Sequence, residues 1–238
     1  MGKDNIFNRY ELKYLLSEER MLELWDLVSK RFVPDRFAHS SIRNIYFDTT
    51  DYRLIRRSIE KPNYKEKLRL RSYGTVDDRT EVYAEIKKKH EGIVYKRRIA
   101  LPYAAALDWL VLREPLREES QISREIDYFY KVYGALRPCV FLSYERDAFV
   151  CPECGDLRVT FDRNILFRDK GLSLKQEAFG EEILGTGMVL MELKCRGGLP
   201  LWLTGALTEL KIFKTSFSKY GEAYVRIYNK NRENNIYA

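Results

Sequence analysis

The segment Lys67-Leu68-Arg69-Leu70-Arg71 alternates strictly between basic and apolar side chains. A period of two is typical of a β-strand that packs one face against a hydrophobic core. The other face of this strand carries cations at intervals of about 7 Å. Such cations repel one another unless anions lie between them. The segment therefore predicts a sheet, and it also indicates an anionic ligand on one face of that sheet.

The same alternation recurs along the chain and predicts eight strands, most of them joined by short loops. These strands are Asn8–Leu15, Ser41–Phe47, Tyr64–Tyr73, Val82–Lys89, Ile93–Leu101, Val140–Val150, Leu157–Phe167 and Met188–Arg196. Helical periodicity follows the N-cap residue Ser17 and recurs over residues 102–112, 121–133, 200–212 and 218–229. Because short loops favour antiparallel pairing, we predict a β-rich α+β fold.

Charged residues share one face of most of these strands. Examples are Arg9, Glu11 and Lys13, then Glu85 and Lys87, and finally Glu192 and Lys194. The solvated face of a one-sided sheet produces the same alternation. Solvated faces are usually mixed with Ser, Thr, Asn and Gln, however, and the amphipathic helices need an apolar surface to cover. If the helices pack outside a closed sheet, the charged faces point into its lumen. We therefore predict an eight-stranded antiparallel β-barrel with a charged lumen.

A lumen that is rich in cations and holds a few carboxylates predicts a polyanion site, because buried charges need partners. The guanidinium fork of arginine suits phosphate oxygens, and Mg²⁺ or Mn²⁺ bridges carboxylates to phosphates. The chemistry that this arrangement favours is phosphoryl transfer or phosphate hydrolysis, in which positioning and charge neutralisation carry most of the catalysis.

Composition narrows the class of protein. The 238 residues are 45% hydrophobic, which is too apolar for a disordered chain, and 42 Lys and Arg exceed 35 Asp and Glu by seven.

No apolar run reaches the roughly 18 residues of a membrane span, and the first residues open no secretory signal, so we expect a cytoplasmic protein. No linker or repeat divides the sequence, which predicts a single domain over residues 1–238. The chain contains no P-loop motif and no RNA- or DNA-binding motif, so we expect no nucleic-acid partner.

The segment Cys151-Pro152-Glu153-Cys154 resembles half of a zinc ribbon, but the sequence holds no second CxxC pair. We interpret it as a tight turn with two free thiols. A disulfide within the pair, or a zinc site completed by Cys139 or by another chain, is the alternative.

Several segments, taken in order, resemble the catalytic domain of the vacuolar transporter chaperone (VTC) family of polyphosphate polymerases. They are Arg9-Tyr10-Glu11-Leu12-Lys13-Tyr14, Tyr46-Phe47-Asp48-Thr49, Lys67-Leu68-Arg69-Leu70-Arg71, Glu85-Ile86-Lys87, Tyr144-Glu145-Arg146, Leu157-Arg158-Val159-Thr160-Phe161-Asp162, Glu192-Leu193-Lys194 and Phe217-Ser218-Lys219-Tyr220. The family belongs to the triphosphate tunnel metalloenzymes, so the resemblance implies an eight-stranded tunnel lined with charge.

The resemblance implies transfer of the γ-phosphate of ATP to polyphosphate with Mn²⁺ or Mg²⁺, with ATP and polyphosphate or pyrophosphate as partners. It implies catalytic roles for Lys13, Arg69, Arg71, Arg158 and Glu192. It implies substrate binding by Arg9, Lys67, Lys87, Lys96, Tyr144, Arg146, Lys194, Ser218 and Lys219. Glu192 would hold the metal together with Glu11, and a further cation is expected from Arg56 or Arg57.

The first strand reads Arg9-x-Glu11-x-Lys13, where the wider superfamily has ExExK. This form is similar to the VTC branch and unlike the hydrolytic branch, and it removes one carboxylate that could bind metal. Two alternatives to a polymerase stay open. One is a hydrolase of tripolyphosphate or a nucleoside triphosphate, and the other is a non-catalytic binder of polyphosphate or RNA.

Overall fold

The computed structural model of the chain describes residues 9–91 and 93–236. The strands are β1 (Arg9–Ser17), β2 (Val33–Asp48), β3 (Tyr64–Tyr73), β4 (Glu81–His90), β5 (Ile93–Pro102), β6 (Arg137–Val150), β7 (Arg158–Arg168), β8 (Glu181–Glu182) and β9 (Met188–Arg196). The α-helices are α1 (Glu18–Val28), α2 (Arg53–Ile59), α3 (Tyr103–Leu110), α4 (Gln121–Tyr133), α5 (Leu201–Glu209) and α6 (Lys219–Ile236). No helix among the described residues is both long enough and apolar enough to cross a membrane.

The strands form one antiparallel sheet, which confirms the predicted α+β class. Its order is β1-β9-β7-β6-β2-β3-β4-β5, and the two-residue strand β8 pairs with β7. The prediction of eight strands closed into a barrel needs correction, because among the described residues the sheet has nine strands and its hydrogen-bonded order begins at β1 and ends at β5. The edge of β1 that faces away from β9 is bridged by Thr215, whose N–H donates to the Lys13 carbonyl at 2.7 Å.

The chain packs as two compact units, each assembled from three segments. Unit 1 comprises Met1–Ser40, Tyr144–Asn164 and Leu184–Phe217, and unit 2 comprises Ser41–Ser143, Ile165–Ile183 and Ser218–Ala238. The prediction of a single domain over residues 1–238 stays a prediction.

In unit 1, helices α1 and α5 cover the apolar face of strands β1, β7 and β9. Tyr14, Phe161 and Met191 from the strands pack in one cluster with Leu24 of α1 and Leu203 of α5. Burying a side chain of this size stabilises the fold by about 1.5–3 kcal/mol. Since successive strand residues point to opposite faces, Glu11, Lys13 and Glu192 lie on the face away from these helices.

In unit 2, helices α3 and α4 cover the apolar face of strands β2 to β5 in the same way. Leu68 and Leu70 of β3 and Ile86 of β4 join Trp109 of α3 and Phe129 of α4 in a second cluster. The alternation in the segment from Lys67 to Arg71 is therefore confirmed, because its two leucines enter the core.

Helix α2 and strand β8 are not among the elements that periodicity predicts, and the start of β2 and the state of Cys151 and Cys154 also differ from the prediction. Strand β2 is 16 residues long and begins at Val33, well before the predicted Ser41. Cys151 and Cys154 form a disulfide, so the interpretation as two free thiols is wrong and the disulfide alternative holds. The one-turn 3₁₀-helix Pro152–Cys154 brings the two Cα atoms to 5.3 Å, which is within the range for a disulfide.

Candidate functional site

The charged residues of unit 1 lie in two rows across strands β1, β9 and β7. In an antiparallel ladder, directly paired residues share one face. One row is Glu11–Lys194–Arg158 and the next is Lys13–Glu192–Thr160. The strand register therefore brings together five of the charged residues that the sequence predicts for the site.

Three cations converge on Glu192, whose side chain is only 7% exposed. The Lys13 ammonium lies 3.5 Å from Glu192 Oε1 and 3.5 Å from Glu11 Oε1. The Lys194 ammonium and the Arg146 Nη2 atom each lie 3.5 Å from Glu192 Oε2. Burial lowers the pKa of Lys194, although the neighbouring Glu192 works in the opposite direction.

Arg146 is held in a fixed orientation on β6. Its Nε and Nη2 atoms donate to the two carboxylate oxygens of Asp162 at 2.6 and 2.7 Å, and its guanidinium lies 5.2 Å from the Tyr144 ring centre. Burial works to lower the pKa of Arg146, but Tyr144 and Asp162 together hold that pKa well above its ordinary value. This bidentate pair holds the guanidinium so that Nη2, which donates to Asp162, also faces Glu192.

Arg158 has a partner that the sequence did not indicate. Its Nη2 atom donates to the Asp35 carboxylate at 2.5 Å, and its side chain stays 40% exposed. Asp35 belongs to the first half of β2, which the sequence pattern did not predict as a strand. No sequence pattern therefore indicated its contact with Arg158. The Arg158 Nε atom has no hydrogen-bond partner in the described part of the chain.

The described residues hold no cluster of three or more His, Cys, Asp or Glu that could bind a metal. A divalent cation that arrives with a phosphate needs only one or two protein carboxylates, because phosphate oxygens complete its shell. Glu11 and Glu192 supply such a pair, since Lys13 contacts both of them. The hydroxyl of Thr160, directly across from Glu192, is buried and has no hydrogen-bond partner among the described residues. This donor set fits Mn²⁺ or Mg²⁺.

The charged residues of unit 2 form further rows across strands β2 to β5. Arg71 stands opposite Asn44, Arg69 stands between Tyr46 and Glu85, and Lys87 stands between Lys67 and Lys96. The last of these rows places three lysines side by side. Like charges directly opposite one another in a sheet are destabilising, and an anionic ligand on this face would relieve that repulsion.

Glu85 is the acidic centre of this face and its side chain is 1% exposed. Its Oε2 atom accepts from Arg69 Nε at 2.7 Å, and its Oε1 atom lies 2.7 Å from the Lys96 ammonium. Burial alone would raise the pKa of Glu85, but Arg69, Arg71 and Lys96 lower it to about 2. Glu85 therefore stays ionised and holds these cations in place.

Burial, together with the nearby Arg69 and Arg71, lowers the pKa of Lys96 to about 8 against the opposing effect of Glu85. The Lys96 side chain is 41% exposed, so solvent and ligands reach it. Its charge consequently changes within the pH range in which an enzyme assay is run.

Two tyrosines position Arg69. The Tyr46 hydroxyl accepts from Arg69 Nη1 at 3.0 Å, and the Tyr46 ring stacks on Tyr220 with 4.4 Å between centres. The Tyr220 hydroxyl donates to the buried Asp48 carboxylate at 2.8 Å. Asp48 also accepts the N–H groups of Leu54 and Ile55, and so it caps helix α2. Tyr46, Asp48 and Tyr220 belong to two of the segments quoted in the sequence analysis. Nothing in those segments indicated that these residues position Arg69.

Ser218 and Lys219 lie at the start of helix α6. The Ser218 hydroxyl accepts from the Gly221 N–H at 3.2 Å and from the Lys67 ammonium at 3.1 Å, so the N-cap of the helix contacts strand β3. Lys219 is the first residue of the helix.

The structure thus places Glu11, Lys13, Tyr144, Arg146, Arg158, Glu192 and Lys194 in unit 1, and Lys67, Arg69, Arg71, Lys87, Lys96, Ser218 and Lys219 in unit 2. The backbone of Arg9 pairs with Arg196, and its side chain lies outside the described part. Arg56 and Arg57 are both exposed on α2, where Arg56 lies 3.5 Å from Asp51.

An antiparallel sheet with helices over its apolar face and paired Lys, Arg and Glu on its other face defines a class of α+β protein with a charged sheet face. The sequence profile of the VTC domain matches residues 8–228, which is nearly the whole chain. The chain belongs to the VTC domain family, and the resemblance inferred from the sequence is confirmed. Among proteins with curated descriptions, none matches the chain.

Several solved structures are similar to this chain at low sequence identity. A "putative adenylate cyclase" from Bacillus halodurans is 17% identical with a TM-score of 0.52, and the match covers 89% of this chain and 95% of that one. A putative adenylyl cyclase from Hippeastrum, described as having a dominant triphosphatase activity, is 18% identical with a TM-score of 0.49 over 88% of this chain and 92% of that one. A protein from Pyrococcus horikoshii is 13% identical with a TM-score of 0.48 over 93% and 98%. The first of these likenesses supports the fold alone.

Proposed function

We propose that the chain is a metal-dependent polyphosphate polymerase, which transfers the γ-phosphoryl group of ATP to the end of a growing polyphosphate chain. The observation that carries the proposal is the row Lys67–Lys87–Lys96, in which lysines stand directly opposite one another on one face of the sheet. Membership of the VTC domain family supports the same assignment.

A row of this kind favours a polyanion over a single phosphate. Several cations held side by side raise one another's energy, and a ligand with one negative charge per repeating group relieves that repulsion. Glu85 of the adjacent row neutralises part of this charge, because it contacts both Arg69 of its own row and Lys96 of the lysine row. The net charge that remains is positive and suits a chain of phosphates.

In the proposed reaction the bond between the γ-phosphorus and the bridging oxygen to the β-phosphate breaks, and its electron pair leaves with ADP. A terminal oxygen of polyphosphate, already deprotonated at neutral pH, forms the new bond in line. Lys13, Arg69, Arg71 and Arg158 are the residues that we assign to stabilising the charge on the transferred group. No covalent intermediate with the enzyme is needed.

We assign binding of Mn²⁺ or Mg²⁺ to Glu192 with Glu11, and the bound ion would neutralise phosphate charge in the transition state. The fit rests on the two carboxylates that share Lys13 and on the buried Thr160 hydroxyl beside them. The other proposed substrate-binding residues are Arg9, Lys67, Lys87, Lys96, Tyr144, Arg146, Lys194, Ser218 and Lys219.

Gel electrophoresis of the products formed from ATP tests the proposal. We expect a ladder of polyphosphate when Mn²⁺ or Mg²⁺ is present and no ladder after a chelator has removed it. Release of inorganic phosphate without any polymer would contradict the proposal and would assign the chain to the hydrolases. Tight polyphosphate binding with no turnover of ATP under either condition would make it a binding protein instead.

A further inference from the structure

The cationic face of unit 2 continues beyond the residues proposed above. Lys65 and Lys89 stand directly opposite each other on β3 and β4, two residues beyond the Lys67–Lys87 pair. Since alternate residues of a strand share a face, this pair lies on the same face as that row. The four rows from Arg71 to Lys65 extend over about 20 Å of strand.

The position of Lys89 in the sheet argues against a purely protective role. Edge strands often carry lysines that prevent pairing with other chains. Strand β4, however, is paired on both sides at Lys89, with Lys65 of β3 and with Val94 of β5. Lysines at interior positions of a sheet do not serve that purpose.

No acidic residue stands in the last two rows, which hold Lys67, Lys87 and Lys96, and then Lys65, Lys89 and Val94. Glu66 of β3 points to the opposite face, where its carboxylate accepts from the hydroxyls of Tyr64 and Tyr133 at 2.7 and 2.5 Å. The Lys65 ammonium donates to the Ser58 carbonyl at 3.1 Å, which holds it at the end of α2, and Lys89 is exposed. One lysine of the pair is thus oriented by the protein and the other is accessible.

We propose that Lys65 and Lys89 form an additional phosphate subsite, which takes a segment of linear polyphosphate that a triphosphate does not reach. A triphosphate is much shorter than the four rows, so one that is held at the proposed catalytic residues Arg69 and Arg71 does not reach the row of Lys65 and Lys89. This inference rests on the proposed function, since it specifies how the same face selects a polymer.

Isothermal titration calorimetry on the full chain tests the subsite, with inorganic triphosphate and long-chain polyphosphate as the two probes. We expect Lys89→Ala to weaken polyphosphate binding by about five- to tenfold, the size of one ordinary hydrogen bond at this exposed position, and to leave triphosphate binding within about twofold. Lys89→Arg should bind polyphosphate about as tightly as the wild-type chain, because it keeps the positive charge. Lys88→Ala is the matched control, because it removes the same charge from the opposite face of the same strand.

Equal weakening of both probes by Lys89→Ala would overturn the inference, as would no weakening at all or an equal effect from Lys88→Ala. These results leave the proposed function standing, because the wild-type chain still binds both probes. A wild-type chain that binds neither probe would overturn the proposed function and the subsite together. Thermal melting of each variant shows whether it has retained its fold.

Discussion

Glu192 lies among Lys13, Arg146 and Lys194, and each of these cations has an atom 3.5 Å from its carboxylate. We also assign the same carboxylate to metal binding. Glu192 therefore has two roles in the proposal, because it holds the cations and it binds the metal. In the proposed mechanism phosphate binding needs the cations, whereas turnover needs the carboxylate. The two functions are therefore separable by substitution.

We expect Glu192→Gln to lower kcat at least about 100-fold, because it removes a ligand of the metal that neutralises the transferred group. The affinity for triphosphate should be unchanged or tighter, since three cations lose their internal acid. Kinetics with ATP and direct binding of triphosphate measure the two effects. An unchanged kcat, or a loss of affinity equal to the loss of kcat, would reject the assignment.

Lys96 predicts a pH dependence of binding. Its lowered pKa of about 8 means that the ammonium is charged below that pH and loses its proton as the pH rises through it. The affinity for triphosphate should therefore fall as the pH passes through about 8. Lys96→Arg should keep binding constant over the same range, because a guanidinium stays charged. Binding titrations over a pH series would reveal this difference, and identical profiles for the two proteins would exclude Lys96 as the titrating group.

At the scale of the elements, Asp48 joins the end of β2 to two helices. Its carboxylate accepts the N–H groups of Leu54 and Ile55 from α2 and the hydroxyl of Tyr220 from α6. Tyr220 in turn stacks on Tyr46, which contacts Arg69. One buried carboxylate thus stabilises the fold of unit 2 and orients a proposed catalytic arginine.

We expect Asp48→Ala to lower the free energy of unfolding by about 3 kcal/mol or more, because several buried donors lose their acceptor. Asp51→Ala is the control, since that side chain is 58% exposed and its ion pair with Arg56 contributes about 1 kcal/mol or less. Urea unfolding of both variants makes the comparison. Equal losses of stability would show that the buried hydrogen bonds of Asp48 are not what holds the helices.

Sequence periodicity predicted elements whose residues alternate between core and charge, and it failed where alternation is weak. All eight predicted strands are present, because leucines such as Leu68 and Leu70 enter the core on one side only. The first half of β2 mixes polar and apolar residues along an exposed stretch, so Asp35 and its contact with Arg158 gave no signal. The contact between Tyr46 and Arg69 depends on strand register, which single residues do not encode.

At the scale of the whole molecule, buried apolar residues and charged residues are arranged in the same way in both units. Each unit packs helices against one face of its strands and gathers charged side chains on the other face. The seven excess positive charges of the chain therefore do not require a basic outer surface for nucleic acid. The proposed anion-binding faces, which include the four rows of unit 2, account for such an excess.

The central claim is that these faces make polyphosphate, and phosphorus NMR of the products from ATP with Mn²⁺ tests it most directly. The account predicts resonances of internal phosphoryl groups for the wild-type chain and none for Lys13→Ala, whose lost ammonium lies between Glu11 and Glu192. Inorganic phosphate as the sole product, or a Lys13→Ala spectrum identical to that of the wild type, would contradict the account.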